Sequence, residues 1–231
     1  MIKNLLKQKL LLFLSAFLLC LFIFIMASVL IFDEKQIGES ATFVGLATLN
    51  EGIFNTIGKS KAFDVITDIL LVLSLLICLL MASLGCYKLL KQKKLDLTLV
   101  ILGIFYVVLL VLYILFDHIH INYAPLLKDG EPKESFPSSH VLASVFLLLS
   151  SVPIIGLNIN KKNIRLILVI GVTVLSILMV VFRLLSGWHW FTDILAGEVL
   201  ALFLVSSYAL VVVSLNNKEI TLGKKDEKEL H

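Results

Sequence analysis

Arg183, His189 and Asp193 stand together in the stretch RLLSGWHWFTD, and an upstream stretch, FPSSH, runs from Phe136 to His140. Both interrupt an otherwise apolar chain, and in bilayer surroundings such groups are costly unless paired or hydrated, so their presence points to function. His189 and Asp193 are four residues apart, one turn of helix if a helix begins near His189. An aspartate accepting a bond from one imidazole nitrogen fixes the tautomer and makes the other nitrogen a better nucleophile or base. Arg183 carries a planar fork suited to bidentate capture of a phosphate. Pro137 ends a loop, and Ser138 and Ser139 are suited to cap a helix whose free N–H groups attract an anion, with His140 in its first turn. Two histidines, an arginine and a helix start converging on one point describe a phosphoryl-transfer site that needs no metal.

The elements that must position these residues are membrane spans. At 231 residues, 59% hydrophobic, with a mean hydropathy of +1.00, the chain has more apolar surface than one soluble core could hide. Several runs reach the roughly 20 residues needed to cross about 30 Å of hydrocarbon as helix. The expected fold is all-α, a single domain over 1–231 with six spans in one bundle. They cover 11–32, reading as an uncleaved first span, then 65–90, 95–116, 141–157, 164–184 and 194–215. Pro153 marks a kink or early stop in the fourth. The interval 33–63 is an outer loop with room for a short helix along the membrane, and 216–231 is a charged tail.

With six spans, basic residues divide 14 to 6 between the two sides. The positive-inside rule then puts both termini in the cytoplasm. The loop from His118 to Ser139 and the loop around His189 share the outer face, so two signals chosen by chemistry meet in one expected active site. The net charge of +3 is spread through loops and forms no nucleic-acid patch. Cys20, Cys78 and Cys86 fall inside apolar runs and read as buried hydrophobes without disulfides. Asp68 and Glu198 lie inside or near spans, as helix contacts or pathway residues. The Lys-rich, Arg-poor composition leans toward a bacterial plasma membrane.

Pro137-Ser-Ser-His140 with Arg183-x5-His189-x3-Asp193 resembles the second and third motifs of the phosphatidic acid phosphatase type 2 family, relatives of vanadium haloperoxidases and bacterial acid phosphatases. The phrase SGWHWFTDILAG and the six spans are similar to that family's membrane branch. The resemblance implies a lipid phosphatase without a cofactor. In it His189 attacks phosphorus and carries the phosphoryl group, Asp193 orients His189, and His140 protonates the leaving oxygen and later activates water. Arg183, Ser138 and Ser139 would hold the phosphoryl oxygens. Undecaprenyl diphosphate, phosphatidylglycerophosphate and phosphatidic acid are the substrates it suggests.

The chain departs from the family pattern at Ser139, where glycine is usual, at Phe182, where serine is usual, and in the first motif. There Asp117 and Ala124 stand where a lysine and an arginine belong, and Asn122-Tyr-Ala-Pro125 is the remnant. Lys128 is the expected replacement cation, because Gly130 would let its loop fold back. A second reading is therefore a relative that binds a phosphorylated lipid or a partner protein without turnover. A third gathers His118, His120, His140 and His189 around a metal, which the HxH spacing disfavours by turning its two rings to different faces.

Overall fold

The computed structural model describes residues 2–39, 41–93 and 95–229, with side chains from 4 to 215 within those limits. Helix α1 (Ile2–Ile31) is followed by a short hairpin, β1 (Lys35–Ile37) and β2 (Thr42–Val44), and by α2 (Ala47–Ile57). Then come α3 (Lys61–Gln92), α4 (Leu97–Asp117), α5 (Ser139–Leu149), α6 (Ser151–Asn158), α7 (Lys162–Ser186) and α8 (Phe191–Glu229). Among the described residues six helical stretches are long and apolar enough to cross a membrane, with α5 and α6 together forming the fourth. The chain is a multi-pass membrane protein built as one helical bundle.

The fourth span is divided because Pro153 has no N–H to give the carbonyl four residues back and its ring crowds that carbonyl. The break falls at Ser150, between α5 and α6. This span is also the centre of the bundle: 61% of its apolar window is buried, against 11% for α4, which faces lipid. Val141, Leu142, Val145 and Phe146 of α5 meet Met179 of α7 and Ile194 of α8 in the largest core cluster. Helix α1 lies along α8, joined by Ser15 Oγ donating to Ser206 Oγ at 3.0 Å and Gln8 Nε2 donating to Ser214 Oγ at 2.9 Å. The helix α8 runs on through 216–229, the stretch expected to be a tail.

The interval 33–63 departs most from expectation. Its last residues already belong to α3, which places Asp64 and Asp68 in the first turns of a membrane helix. The remainder is a cap on the bundle, not a helix along the membrane. Antiparallel pairing sets Lys35 opposite Val44 and Ile37 opposite Thr42, and Ile37, Val44 and Ala47 pack around Trp190. Asn50 is fully buried. It donates to Gly45 O at 2.9 Å and to Thr192 Oγ1 at 3.0 Å, and accepts from Thr192 N at 3.2 Å. The cap is thus bonded to the first turn of α8. At the other end of the bundle Asp96 caps α4, accepting from Thr98 N at 3.0 Å, and Lys88 Nζ donates to Asp96 at 2.7 Å and to Asn158 at 2.8 Å.

Candidate active site

Helix α7 ends at Ser186, and Gly187 takes the left-handed conformation (φ 74°) that lets the chain reverse. Helix α8 starts only at Phe191, so His189 sits in the turn and not on the helix with Asp193. The consequence corrects the expected pairing. Asp193, in the first turn, uses its carboxylate on the local backbone, accepting from Trp190 N at 3.1 Å through Oδ2 and from Asn122 Nδ2 at 3.1 Å through Oδ1. Its Oδ2 stands 3.9 Å from His189 Nδ1, beyond hydrogen-bond range. His189 Nδ1 instead meets the carbonyl of Ser135 at 3.0 Å. A carbonyl only accepts, so Nδ1 carries the hydrogen and Nε2 keeps its lone pair. Burial pushes the His189 pKa below the ordinary 6.5; Asp193 pulls it back up and Arg183 adds to the lowering.

Asn122, noted in sequence only as part of a motif remnant, is the hub of this arrangement. It is 1% exposed. Its side chain accepts from Gly45 N at 3.0 Å while donating to Asp193, and its carbonyl accepts from Ser135 N at 2.9 Å. The aspartate and the carbonyl that faces His189 are therefore fixed by one residue.

Ser138 occupies the position before α5, as expected, but its hydroxyl caps nothing and is buried without a hydrogen-bond partner. Its backbone N–H donates to Asp193 O at 2.9 Å, which joins the start of α5 to the start of α8. Gly197 makes room for this: a Cβ there would lie 2.7 Å from Ser138 O. Ser139 and His140 form the first turn of α5, and His140 Nε2 meets Asp68 Oδ1 of α3 at 3.0 Å. Arg183 and His189 are both near enough to act electrostatically on His140. The site-bearing ends of α3, α5, α7 and α8 are together.

Arg183 is buried, and its Nη1 donates to Asp64 Oδ1 at 2.8 Å and to Thr67 Oγ1 at 3.1 Å. Its Nε is buried without a partner. Sequence reasoning missed Asp64 and Thr67 because α3 begins earlier than its apolar run suggests; the signal available was the i, i+4 spacing of Asp64 and Asp68. Phe182, in place of a serine, stacks on Phe63 with ring centroids 5.2 Å apart, and so fastens α7 to α3.

Lys128 lies elsewhere. Asp129 and Gly130 both adopt positive φ (56° and 81°) and make a two-residue turn, with Lys128 and Glu131 exchanging backbone hydrogen bonds at 3.0 Å. The glycine tightens a hairpin instead of folding the loop back, and Lys128 is exposed at its tip, without a contact to the histidines among the described residues. Asp117 is exposed at the end of α4, and Ala124 is buried, its N–H donating to Lys133 O at 2.8 Å. His118 Nδ1 bonds Ile114 O at 2.8 Å, and His120 Nδ1 pairs with Glu134 at 2.6 Å, so neither is directed to His140 or His189.

Two openings meet at Ser139. One is a narrow cleft of about 40 Å³ whose lining includes Asp117, Glu134, Ser135, Ser139 and His189. The other is a largely apolar groove of about 390 Å³, between α3, α4 and α5, whose lining includes Leu71, Leu75, Leu110, Tyr113, Ser139 and His140. A polar nucleophile thus stands beside a greasy groove reachable from within the membrane.

Residues 114–217, which contain every one of these motif residues, match the PAP2 superfamily. No curated protein sequence matches the chain. The fold is similar to that of a solved structure, the first transmembrane PAP2 type phosphatidylglycerolphosphate phosphatase from Bacillus subtilis. The likeness has a TM-score of 0.57 at 18% identity, covering 89% of this chain and 96% of that one.

Proposed function

From a chain whose residues 114–217 are of the PAP2 superfamily, on the fold of a transmembrane phosphatase, we propose a membrane enzyme that removes phosphate from a lipid phosphate or diphosphate. The observation that carries the reading is the His189 Nδ1 to Ser135 O bond, which leaves Nε2 as a neutral nucleophile beside a lipid-sized groove. In the proposed course Nε2 attacks phosphorus, the bond to the leaving oxygen breaks, and His140 gives that oxygen a proton. His140 then takes a proton from water, whose oxygen attacks the phosphohistidine and frees inorganic phosphate and His189. Arg183 offers its unpaired Nε to the phosphoryl oxygens, and the first-turn N–H groups of α5 and the unpartnered Ser138 hydroxyl lie on the same side. Ser139 lines both openings. Lys128 has no part in this course. The groove receives the lipid chain, so the headgroup arrives by lateral diffusion. The basic-residue count favours the outer leaflet of a bacterial plasma membrane.

Phosphate release from short-chain lipid phosphates and diphosphates in detergent, with and without EDTA, tests the proposal. His189→Ala should lose at least about a thousandfold in turnover, with EDTA without effect on the unmodified protein. Loss of activity in EDTA would make the chain a metallohydrolase. Lipid binding with no release would favour the second reading, a non-hydrolysing relative, to which Asp117 and Ala124 lend weight.

A further inference from the structure

The charges around this site are unusual for one that takes a phosphate. Where the resemblance leads one to expect two cations, there is an acid and a methyl group, Asp117 and Ala124. The cleft at His189 is lined by Asp117 and Glu134, and Asp193 is buried behind it. On the α3 side Asp64 is spent on Arg183, and Glu134 is paired with His120. Asp68 is different. It is 61% exposed, its Oδ1 lies 3.0 Å from His140 Nε2, and its Oδ2 has no partner among the described residues. It also stands one and two turns above Leu71 and Leu75, which wall the groove, so a headgroup whose chain fills the groove passes this carboxylate. A phosphate dianion entering here meets one buried arginine, already paired, against a surplus of carboxylates.

We infer that the lipid phosphate taken by this site brings its own positive charge, an ammonium within two or three atoms of the leaving oxygen, which Asp68 accepts beside His140. The substrate class is a long-chain amino-alcohol phosphate. This rests on the phosphatase reading, because it is His140 as acid that puts Asp68 on the leaving-group side. A divalent cation escorting a plain phosphate would supply the same charge. Among the described residues no three acidic, histidine or cysteine side chains converge as its ligands, and the amine is therefore favoured.

The test compares 2-aminohexadecyl phosphate, its N-acetyl form and hexadecyl phosphate, each with Mg²⁺ or EDTA. It measures kcat/KM for the full chain and for Asp68→Asn, and displacement of a fluorescent lipid phosphate from His189→Ala, which needs no turnover. The amine should be preferred by at least about tenfold in both measurements, and the preference should fall to within about twofold in Asp68→Asn whatever the overall rate. Equal handling of the three lipids, or a preference that survives Asp68→Asn, overturns the inference. So does hexadecyl phosphate reaching parity in Mg²⁺ and falling in EDTA, since the cation would then be the metal. If no lipid is hydrolysed, the phosphatase reading fails, and the displacement series still decides the charge question.

Discussion

His189 owes its proposed reactivity to the place of one hydrogen. With Nδ1–H held by Ser135 O and the ring buried, the folded protein refuses a second proton at pH values where a free histidine accepts it. The acid limb of a pH–rate profile for kcat/KM should therefore fall below 6.5, the ordinary histidine value. Stability follows the same sign. Between the lowered folded pKa and 6.5 the unfolded chain binds a proton that the folded one does not, so melting temperature should drop as pH falls through that window and level off above it. Asp193 makes a separate prediction. Asp193→Asn turns an acceptor toward two donors into a mixed group and should cost about 1 to 3 kcal/mol, read as a lower melting temperature in detergent. Adding Asn122→Asp reverses the polarity of that bond while still accepting from Gly45 N. The double variant should regain most of the stability, and phosphate release should stay low because a negative charge has moved toward the cap.

At the scale of elements, the six spans were legible because bilayer thickness imposes a length that an apolar run either meets or does not. Their starts were less so, since Lys61 and Asp64 read as loop until their partners on α7 are seen. The motif residues were legible by type and spacing, yet their pairing was not, because it turns on whether α8 begins at His189 or two residues later. Ser135 and Asn122 escaped notice for a related reason: one acts through its backbone, and the other by long-range bonds that no local pattern announces. Gly197 tests how closely the two site-bearing helices must approach. Gly197→Ala should destabilise by about 1 to 3 kcal/mol and cut turnover more than tenfold, because the added methyl meets backbone that cannot yield cheaply. Gly171→Ala, whose added methyl meets nothing within 4 Å, is the control and should change neither melting temperature nor rate.

For the molecule as a whole, the alternation of spans brings the cap, the loop after α4 and the turn before α8 to one end, and the cluster of Lys88, Lys161 and Lys162 to the other. Which end faces out follows from charge alone. In a background with Cys20, Cys78 and Cys86 replaced by serine, Lys128→Cys should react with a membrane-impermeant maleimide on intact cells, and Lys161→Cys only after permeabilisation. The opposite pattern would turn the site toward the cytoplasm. The bond from Ser138 to the carbonyl of Asp193, with the close passage of Gly197, has a mechanical consequence. Nucleophile and phosphate holder arrive on different helices, α8 and α5, yet the seam between them is riveted where they meet. A bilayer that thickens or thins must tilt the pair as one blade, and the span an attacking nitrogen has to cross is insulated from the membrane around it.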